Sequence, residues 1–556
     1  MRLSALVLLC VLVPAGCDSS PGRNEEPDPD PPQENGPDVV AEATIAIDTD
    51  RARAPISPYI YGSNQDRSSD DLWTIRRLGG NRLTGYNWET NVSNAGSDWQ
   101  HSSDNFLLAN AGIPEAQWDE PARVVTHFHD RSLALGAASI VTLQMAGYVA
   151  SDDEGTVTEA ETAPSPRWDR VVYRKGAAFQ TAPDLEDGVV YMDELVHVLT
   201  GRYGTAAAPG GIRWYSLDNE PALWAHTHPR IHPDPIEAEA LVQRSIELAL
   251  AVKAVDPSSR ILGPVLYGFA AYLHLQDAPD WSTVGAGYDW FVDYYLDRMR
   301  QAEQTHGMRL LDALDVHWYP EARGDHRIVF EGGRTPADIA ARLQAPRTLW
   351  DSTYAENSWV ADCCSRYLPI LPRLRQAIDT YYPGTALAIT EYDYGAKDAI
   401  SGGLAQADVL GAFARYGVDV AALWGIGRED DYAASAFALY RNYDGRGGTY
   451  GTTAVWARTD DRENTSVYAS IGDDDPSTLH LILINKSREG AVGMQIDVES
   501  SASYASAEVW RFDAQSAAIA RATSIEDAAE IVDNAVRYVL PRMTAAHVVL
   551  RTAPTN

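Results

Sequence analysis

The sequence predicts an α/β fold: a (β/α)8 TIM barrel with a second, smaller all-β sandwich domain formed by the C-terminal region plus an N-terminal strand. Short strand-like segments alternate with amphipathic helical stretches over about 400 residues, the grammar of repeated βα units. Eight strand candidates fall in that region, the number that closes a parallel barrel. After about Arg458 the helical period vanishes and only strands and turns remain, as in a sandwich. A doubly wound open sheet is the competing arrangement for the βα region.

Residues 1–17 read as a lipoprotein-type signal peptide. Arg2 supplies a basic start, Leu3 to Val13 are almost wholly apolar, and Pro14-Ala15-Gly16-Cys17 resembles a bacterial lipoprotein cleavage box. The apolar run is too short to span a bilayer, so membrane contact is expected only through a lipid anchor at Cys17. That places the protein at the cell envelope or cell surface, with cleavage and release as the alternative. Residues 18–41 form a linker in which Pro21, Pro27, Pro29, Pro31, Pro32 and Pro37 alternate with acidic and small polar residues. Within residues 42–57, Ala43 to Asp48 alternates as a strand should and is expected to join the sandwich.

The barrel is expected over residues 58–458. Its strand candidates are Tyr59–Gly62, Asn81–Tyr86, Ser139–Met145, Arg213–Asn219, Arg260–Leu266, Leu314–Tyr319, Ala386–Glu391 and Val418–Trp424. The clearest helical periods are Pro121–Leu135, Glu237–Val255, Trp290–Thr305, Leu371–Tyr382 and Ala405–Tyr416. Residues 459–556 hold the sandwich, with strands at Ser466–Ile471, Thr478–Asn485, Val492–Val498, Ala507–Phe512 and His547–Leu550. Asp473-Asp474-Asp475-Pro476 is read as a turn between the first two.

Composition narrows the function. With 45 basic and 78 acidic residues the formal charge is −33, which argues against a nucleic-acid partner. The 15 Trp and 28 Tyr suit a carbohydrate cleft, because sugar C–H faces stack on aromatic rings. Beyond the leader only Cys363 and Cys364 remain, so no disulfide framework holds the fold. No Gly-x-Ser-x-Gly elbow or phosphate-binding glycine loop occurs. His226, His228 and His232 lie in a proline-interrupted loop rather than at helical metal spacing.

Barrel active sites lie at the carboxyl ends of the strands, and several candidate ends here are polar or aromatic. Asn219 and Glu220 end the fourth candidate, and Glu391 ends the seventh. His317, Trp318 and Tyr319 close the sixth, Trp424 the eighth, and Arg82, Asn87, Trp88 and Glu89 surround the second. Glycoside hydrolysis needs two carboxyl groups, one to protonate the departing oxygen and one to attack or to activate water. Glu220 is therefore expected as acid/base, with Asn219 on the sugar 2-hydroxyl. Glu391 is expected as the nucleophile, held by Tyr319 and Arg82. Trp88, Trp318, Trp350, Trp359 and Trp424 are the stacking candidates. Glu89, Asp152 and Asp153 are candidate ligands for a structural calcium, and the chemistry itself needs no cofactor. A monomer is expected.

The segments Gly79–Glu89, Tyr215–Trp224, Asp315–Pro320, Thr390–Tyr392 and Leu439–Gly445 resemble glycoside hydrolase family 44. The resemblance runs from about Ala43 to the C-terminus. It implies a barrel with a sandwich built from both chain ends, and retaining endo-hydrolysis of β-1,4-glucans such as carboxymethylcellulose and xyloglucan. It also implies Glu220 as acid/base, Glu391 as nucleophile and a capacity for calcium. A mannanase or xylanase on the same barrel is the alternative, and a non-catalytic glycan-binding lipoprotein a remoter one.

Overall fold

The computed structural model describes residues 41–64, 72–180, 182–329, 333–473, 475–523 and 529–553. The leader, Cys17, the linker up to residue 40 and Asp474 of the expected turn lie outside the described residues.

Eight parallel strands close into a barrel: Gly62–Asn64, Ile75–Leu78, Ala138–Leu143, Trp214–Leu217, Arg260–Leu266, Ala313–Trp318, Ala386–Tyr392 and Val420–Trp424. They are called strands one to eight below. Their residues are almost all buried, as expected where helices cover the outside and side chains fill the inside. Ile75, Ile140, Trp214, Leu262, Ala313, Ala388 and Val420 form a separate apolar cluster contributed by seven of the strands. That plug leaves the opposite, carboxyl-terminal ends free for polar groups.

Strand two departs from expectation. Asn81–Thr84 folds as a short helix, and the strand is Ile75–Leu78, with sequence Ile-Arg-Arg-Leu. Two arginines in four residues read as solvated, yet both are buried. Arg76 donates to the Phe128 carbonyl (3.3 Å) and the Ser132 hydroxyl (2.8 Å) and lies 4.5 Å over the Phe128 ring. Pairing inside the fold makes their burial tolerable.

The helices Arg123–Ala134, Ala238–Val255, Phe291–His306, Ile370–Tyr381 and Ile400–Arg415 overlie the expected periods. Met192–Tyr203 and Asp431–Arg441 are additional. Ile400–Arg415 is buried along nearly its whole length because it is wedged between barrel and sandwich. A Cβ at Gly411 would lie 2.1 Å from the Tyr468 ring, so only glycine lets the sandwich approach there. Asp408, three residues earlier, accepts from Tyr468 (2.6 Å) and Ser466 (3.0 Å) and ties the two units.

The sandwich is one eleven-stranded sheet folded over a single apolar core. Ala41–Asp48 sits inside it, parallel to Val492–Glu499 and antiparallel to Thr453–Thr459. Thr453–Thr459 opens the sandwich ahead of the boundary expected at 459. Ser516–Arg521, Glu530–Val532 and Ala535–Leu540 add strands that the sequence pattern did not single out. Cys363 and Cys364 form a disulfide with each other in the short helix Trp359–Cys364. No helix among the described residues is long and apolar enough to cross a membrane.

Candidate active site

The exit of strand four is bent by two non-glycine residues in the left-handed region, Asp218 (φ 61°) and Glu220 (φ 47°). Such backbone costs about 1 kcal/mol or more per residue and persists only where contacts impose it. Here the Asp218 carboxylate imposes it. It accepts from the Thr84 hydroxyl (2.6 Å) and from the amides of Met145, Ala146 (3.0 Å) and Asn219 (2.8 Å). Burial outweighs these donors and pushes the Asp218 carboxyl up to about 6. The Glu220 amide donates to the Val265 carbonyl (3.1 Å), and Pro221 stops any continuation of the strand.

Strand seven delivers Glu391 from the far side of the mouth. The register between strands six and seven slips after Val316, which sets His317 beside Glu391. One Glu391 oxygen accepts from the Arg77 guanidinium at 2.7 Å, and the other accepts from the Tyr319 hydroxyl at 2.8 Å. Nδ1 of His317 lies 2.8 Å from Glu220 Oε1 and 3.5 Å from Glu391 Oε2. One oxygen of each carboxyl and a ring nitrogen of His317 all fall within 4.8 Å of one another.

Burial pushes the Glu220 carboxyl up to about 7, with Arg77 pulling it down and Asp98 adding to the rise. Burial holds His317 down at about 3, so its imidazole is neutral near pH 7. A neutral ring offers one donor and one acceptor, so it accepts from a protonated Glu220 or donates to an ionised one. Burial and the adjacent carboxylates raise Tyr319 well above its ordinary value, which leaves its hydroxyl as a donor.

Arg77 organises the site. Its Nη2 donates to Asn219 Oδ1 at 2.9 Å while its other prong holds Glu391, so one rigid fork fixes both residues. With the Asn219 oxygen taken, its amide NH2 is left to meet a ligand. A Cβ at Gly79 would lie 2.3 Å from the Arg77 Cζ, so the guanidinium folds back over a residue that must be glycine. Sequence reasoning assigned this role to Arg82. Arg82 instead pairs with Asp104, bonds Ser93 (3.1 Å) and lies 4.6 Å over Phe106. The detectable signal for Arg77 was its place in an arginine pair bracketed by Ile75 and Leu78.

The remaining candidates scatter. His317, Tyr319 and Asn219 join the two glutamates. Trp424, half-buried, closes strand eight, and its carbonyl accepts from Lys397 (2.8 Å). Trp359 is 40% exposed and meets Phe269 edge-on at 5.9 Å. Trp88 and Trp318 are core residues, bonded to the Tyr191 carbonyl (3.2 Å) and the Tyr394 hydroxyl (3.1 Å). Asn87 is buried and donates to the Ala150 carbonyl and Asp169, both at 3.0 Å. Trp350 lies against the sandwich, stacked on Tyr416.

The calcium candidates do not converge among the described residues. Asp152 is taken by Arg167 (2.6 Å) and Asp153 by Asn105 (2.7 Å). Burial, with the neighbouring carboxylates of Asp187, Glu194 and Asp169, pushes the Glu89 carboxyl up to about 8. Glu220, His317 and Glu391 are the one group of ligand-type atoms that converges among the described residues. The Arg77 cation already occupies the charge-balancing position there.

The family model for glycoside hydrolase family 44 matches residues 92–322. Endoglucanase A from Paenibacillus lautus is 52% identical over 522 residues, 93% of this chain and 74% of that protein. A β-mannanase/endoglucanase A from Caldicellulosiruptor saccharolyticus is 51% identical over 485 residues, 85% of this chain but 36% of that longer protein. Among solved structures, a family 44 xyloglucanase from Paenibacillus polymyxa, determined with xyloglucan, superposes with a TM-score of 0.90. It shares 53% identity, over 92% of this chain and all of that one.

Proposed function

The chain belongs to glycoside hydrolase family 44, and from that membership we propose that it cleaves β-1,4-glucans internally, with retention of anomeric configuration. It is a glycoside hydrolase; the bond, the stereochemistry and the residues are the proposal. The observation that carries it is the gap of no more than 4.8 Å between a Glu220 oxygen and a Glu391 oxygen. Carboxyls about 5–5.5 Å apart suit direct attack, whereas inversion needs about 6.5–9.5 Å to admit a water between them.

Glu391 is the nucleophile. Arg77 and Tyr319 give its negative charge two donors and aim it, and the strand-seven backbone fixes the rest. Its carboxylate oxygen attacks the anomeric carbon as the bond to the leaving oxygen breaks. Glu220, raised to about 7, delivers its proton to that oxygen and is left ionised. Glu220 then takes a proton from water, whose oxygen attacks the same carbon and releases Glu391. Two inversions give net retention. His317 Nδ1 accepts from protonated Glu220 before the transfer and so aims the acid. The Asn219 amide, oriented by Arg77, binds the sugar 2-hydroxyl, a contact that strengthens in the transition state.

The relatives named for endoglucanase and xyloglucanase activity favour soluble cellulose derivatives and xyloglucan as substrates. We also propose export and anchoring at Cys17 from the leader pattern. Glu391→Gly tests the mechanism: turnover should vanish, and azide should restore cleavage with an α-configured glycosyl azide as product. A β-azide, or wild-type turnover without azide, refutes the assignment. A panel of xyloglucan, carboxymethylcellulose, mannan and xylan tests the substrate; faster hydrolysis of mannan or xylan overturns the glucan preference.

A further inference from the structure

We propose that the pocket where the barrel meets the sandwich is a second carbohydrate site, selective for a sugar ring that carries a carboxylate. The pocket encloses about 300 Å³ and is lined by Arg51, Arg415, Arg458, Arg462, Trp350 and Trp456, with Asp351 at one side. None of these residues belongs to the cluster around Glu220 and Glu391.

Its charge is the first argument. In a chain with a net charge of −33, four guanidinium groups converge on one cavity. The single lining carboxylate is already committed, since Asp351 pairs with Arg347 and Arg462, each at 2.9 Å. Arg51, Arg415 and Arg458 make no ion pair with any described residue. Like charges held together without partners destabilise the compact state, and an entering anion relieves that repulsion. A carboxylate suits guanidinium because the planar fork binds both its oxygens.

Its walls are the second argument. Arg51 lies 4.4 Å over the Trp456 ring, Arg462 lies 5.6 Å over Trp350, and Trp350 stacks on Tyr416 at 17° between ring planes. Aromatic faces beside guanidinium groups recognise a ring with an apolar face and a charged edge, which a pyranose uronate supplies. The volume is at the lower end of small-molecule pockets, ~300–1,000 Å³, and suits one sugar ring. The preference for an anion rests on the pocket alone. The preference for a sugar over other anionic rings rests on the chain's being a glycoside hydrolase.

The full-length protein should be titrated with glucuronate, glucose and inorganic phosphate, following tryptophan fluorescence and heat. Glucuronate is expected to bind saturably and at least tenfold more tightly than either glucose or phosphate. Arg415→Ala combined with Arg458→Ala should weaken it at least tenfold. Should that pair disturb folding, Arg458→Glu, on an exposed side chain, should produce the same loss. Glucuronate binding no tighter than glucose overturns the charge reading, and phosphate binding as tightly as glucuronate overturns the sugar reading. Insensitivity to both arginine changes overturns the location. Activity on neutral glucan should be unchanged in these variants, so failure here and failure of the catalytic proposal are read separately.

Discussion

Arg77 holds Glu391 with one prong and Asn219 with the other, so two substitutions separate its charge from its shape. Arg77→Lys keeps the charge but offers a compact ammonium that cannot reproduce the planar fork. At least one of the two buried hydrogen bonds is then lost, and with a charged partner each is worth about 1.5–3 kcal/mol. Loss of a preorganised donor to a catalytic group typically costs about 2.7–4 kcal/mol in the barrier, or roughly 10²–10³ in kcat. Arg77→Met removes the charge as well and leaves Glu391 buried without its cation, which adds a stability loss of about 3–5 kcal/mol. Because Arg77 pulls the Glu220 proton affinity down, its removal should also shift the basic limb of kcat/KM to higher pH, whereas Arg77→Lys should not. The assay is reducing-sugar release from xyloglucan across about pH 5–9, with urea unfolding on the same preparations. Arg82→Lys is the control: that side chain pairs with Asp104 and should leave kcat within about threefold. Retention of more than a third of wild-type kcat by Arg77→Lys, or an equal loss in Arg82→Lys, refutes the reasoning.

Gly79→Ala places a methyl on the Arg77 guanidinium and should lower kcat at least tenfold with little change in KM; substrate kinetics decide it. If Glu220 is the acid, as proposed, kcat/KM of the wild type should fall above about pH 7 as its carboxyl ionises, and Glu391→Gly with azide should lose that basic limb on an activated leaving group. Stability should follow the buried acids. Asp218, Glu220, Asp315 and Glu89 are raised to about 6, 7, 7 and 8, so their stabilising contribution is full below their ordinary values and fades as pH rises through 6–8. His228, His317 and His480, lowered to about 4, 3 and 4, act oppositely and lose stability as pH falls below their ordinary value. The urea midpoint should therefore be higher near pH 6 than at pH 8, since over that interval the acids lose more than the histidines gain. Trp88→Ala should cost about 3–5 kcal/mol of stability, read by urea unfolding.

Much of the architecture was legible because it is local. Period-two and period-3.6 patterns are written by neighbouring residues, so strands such as Arg260–Leu266 and helices such as Ala238–Val255 appear where the pattern puts them. Strand two was misplaced because paired arginines inside a sheet violate that pattern, and only the partners Ser132, Phe128, Asn219 and Glu391 make the violation affordable. The tryptophans failed for a related reason. Trp88 lies in a turn, Trp318 ends strand six and Trp359 starts a short helix; the first two are buried and the third protrudes according to what packs on each.

The sequence by itself determined that strands four and seven end in carboxylates, and that a β-rich C-terminal region follows the βα units. Only the tertiary structure decided which arginine meets Glu391, which acids stay protonated, and where Trp350 lies. Arg77 and Glu391 are 314 positions apart, and desolvation and ion pairing depend on what the whole fold brings within a few ångströms. Periodicity carries no record of such distances.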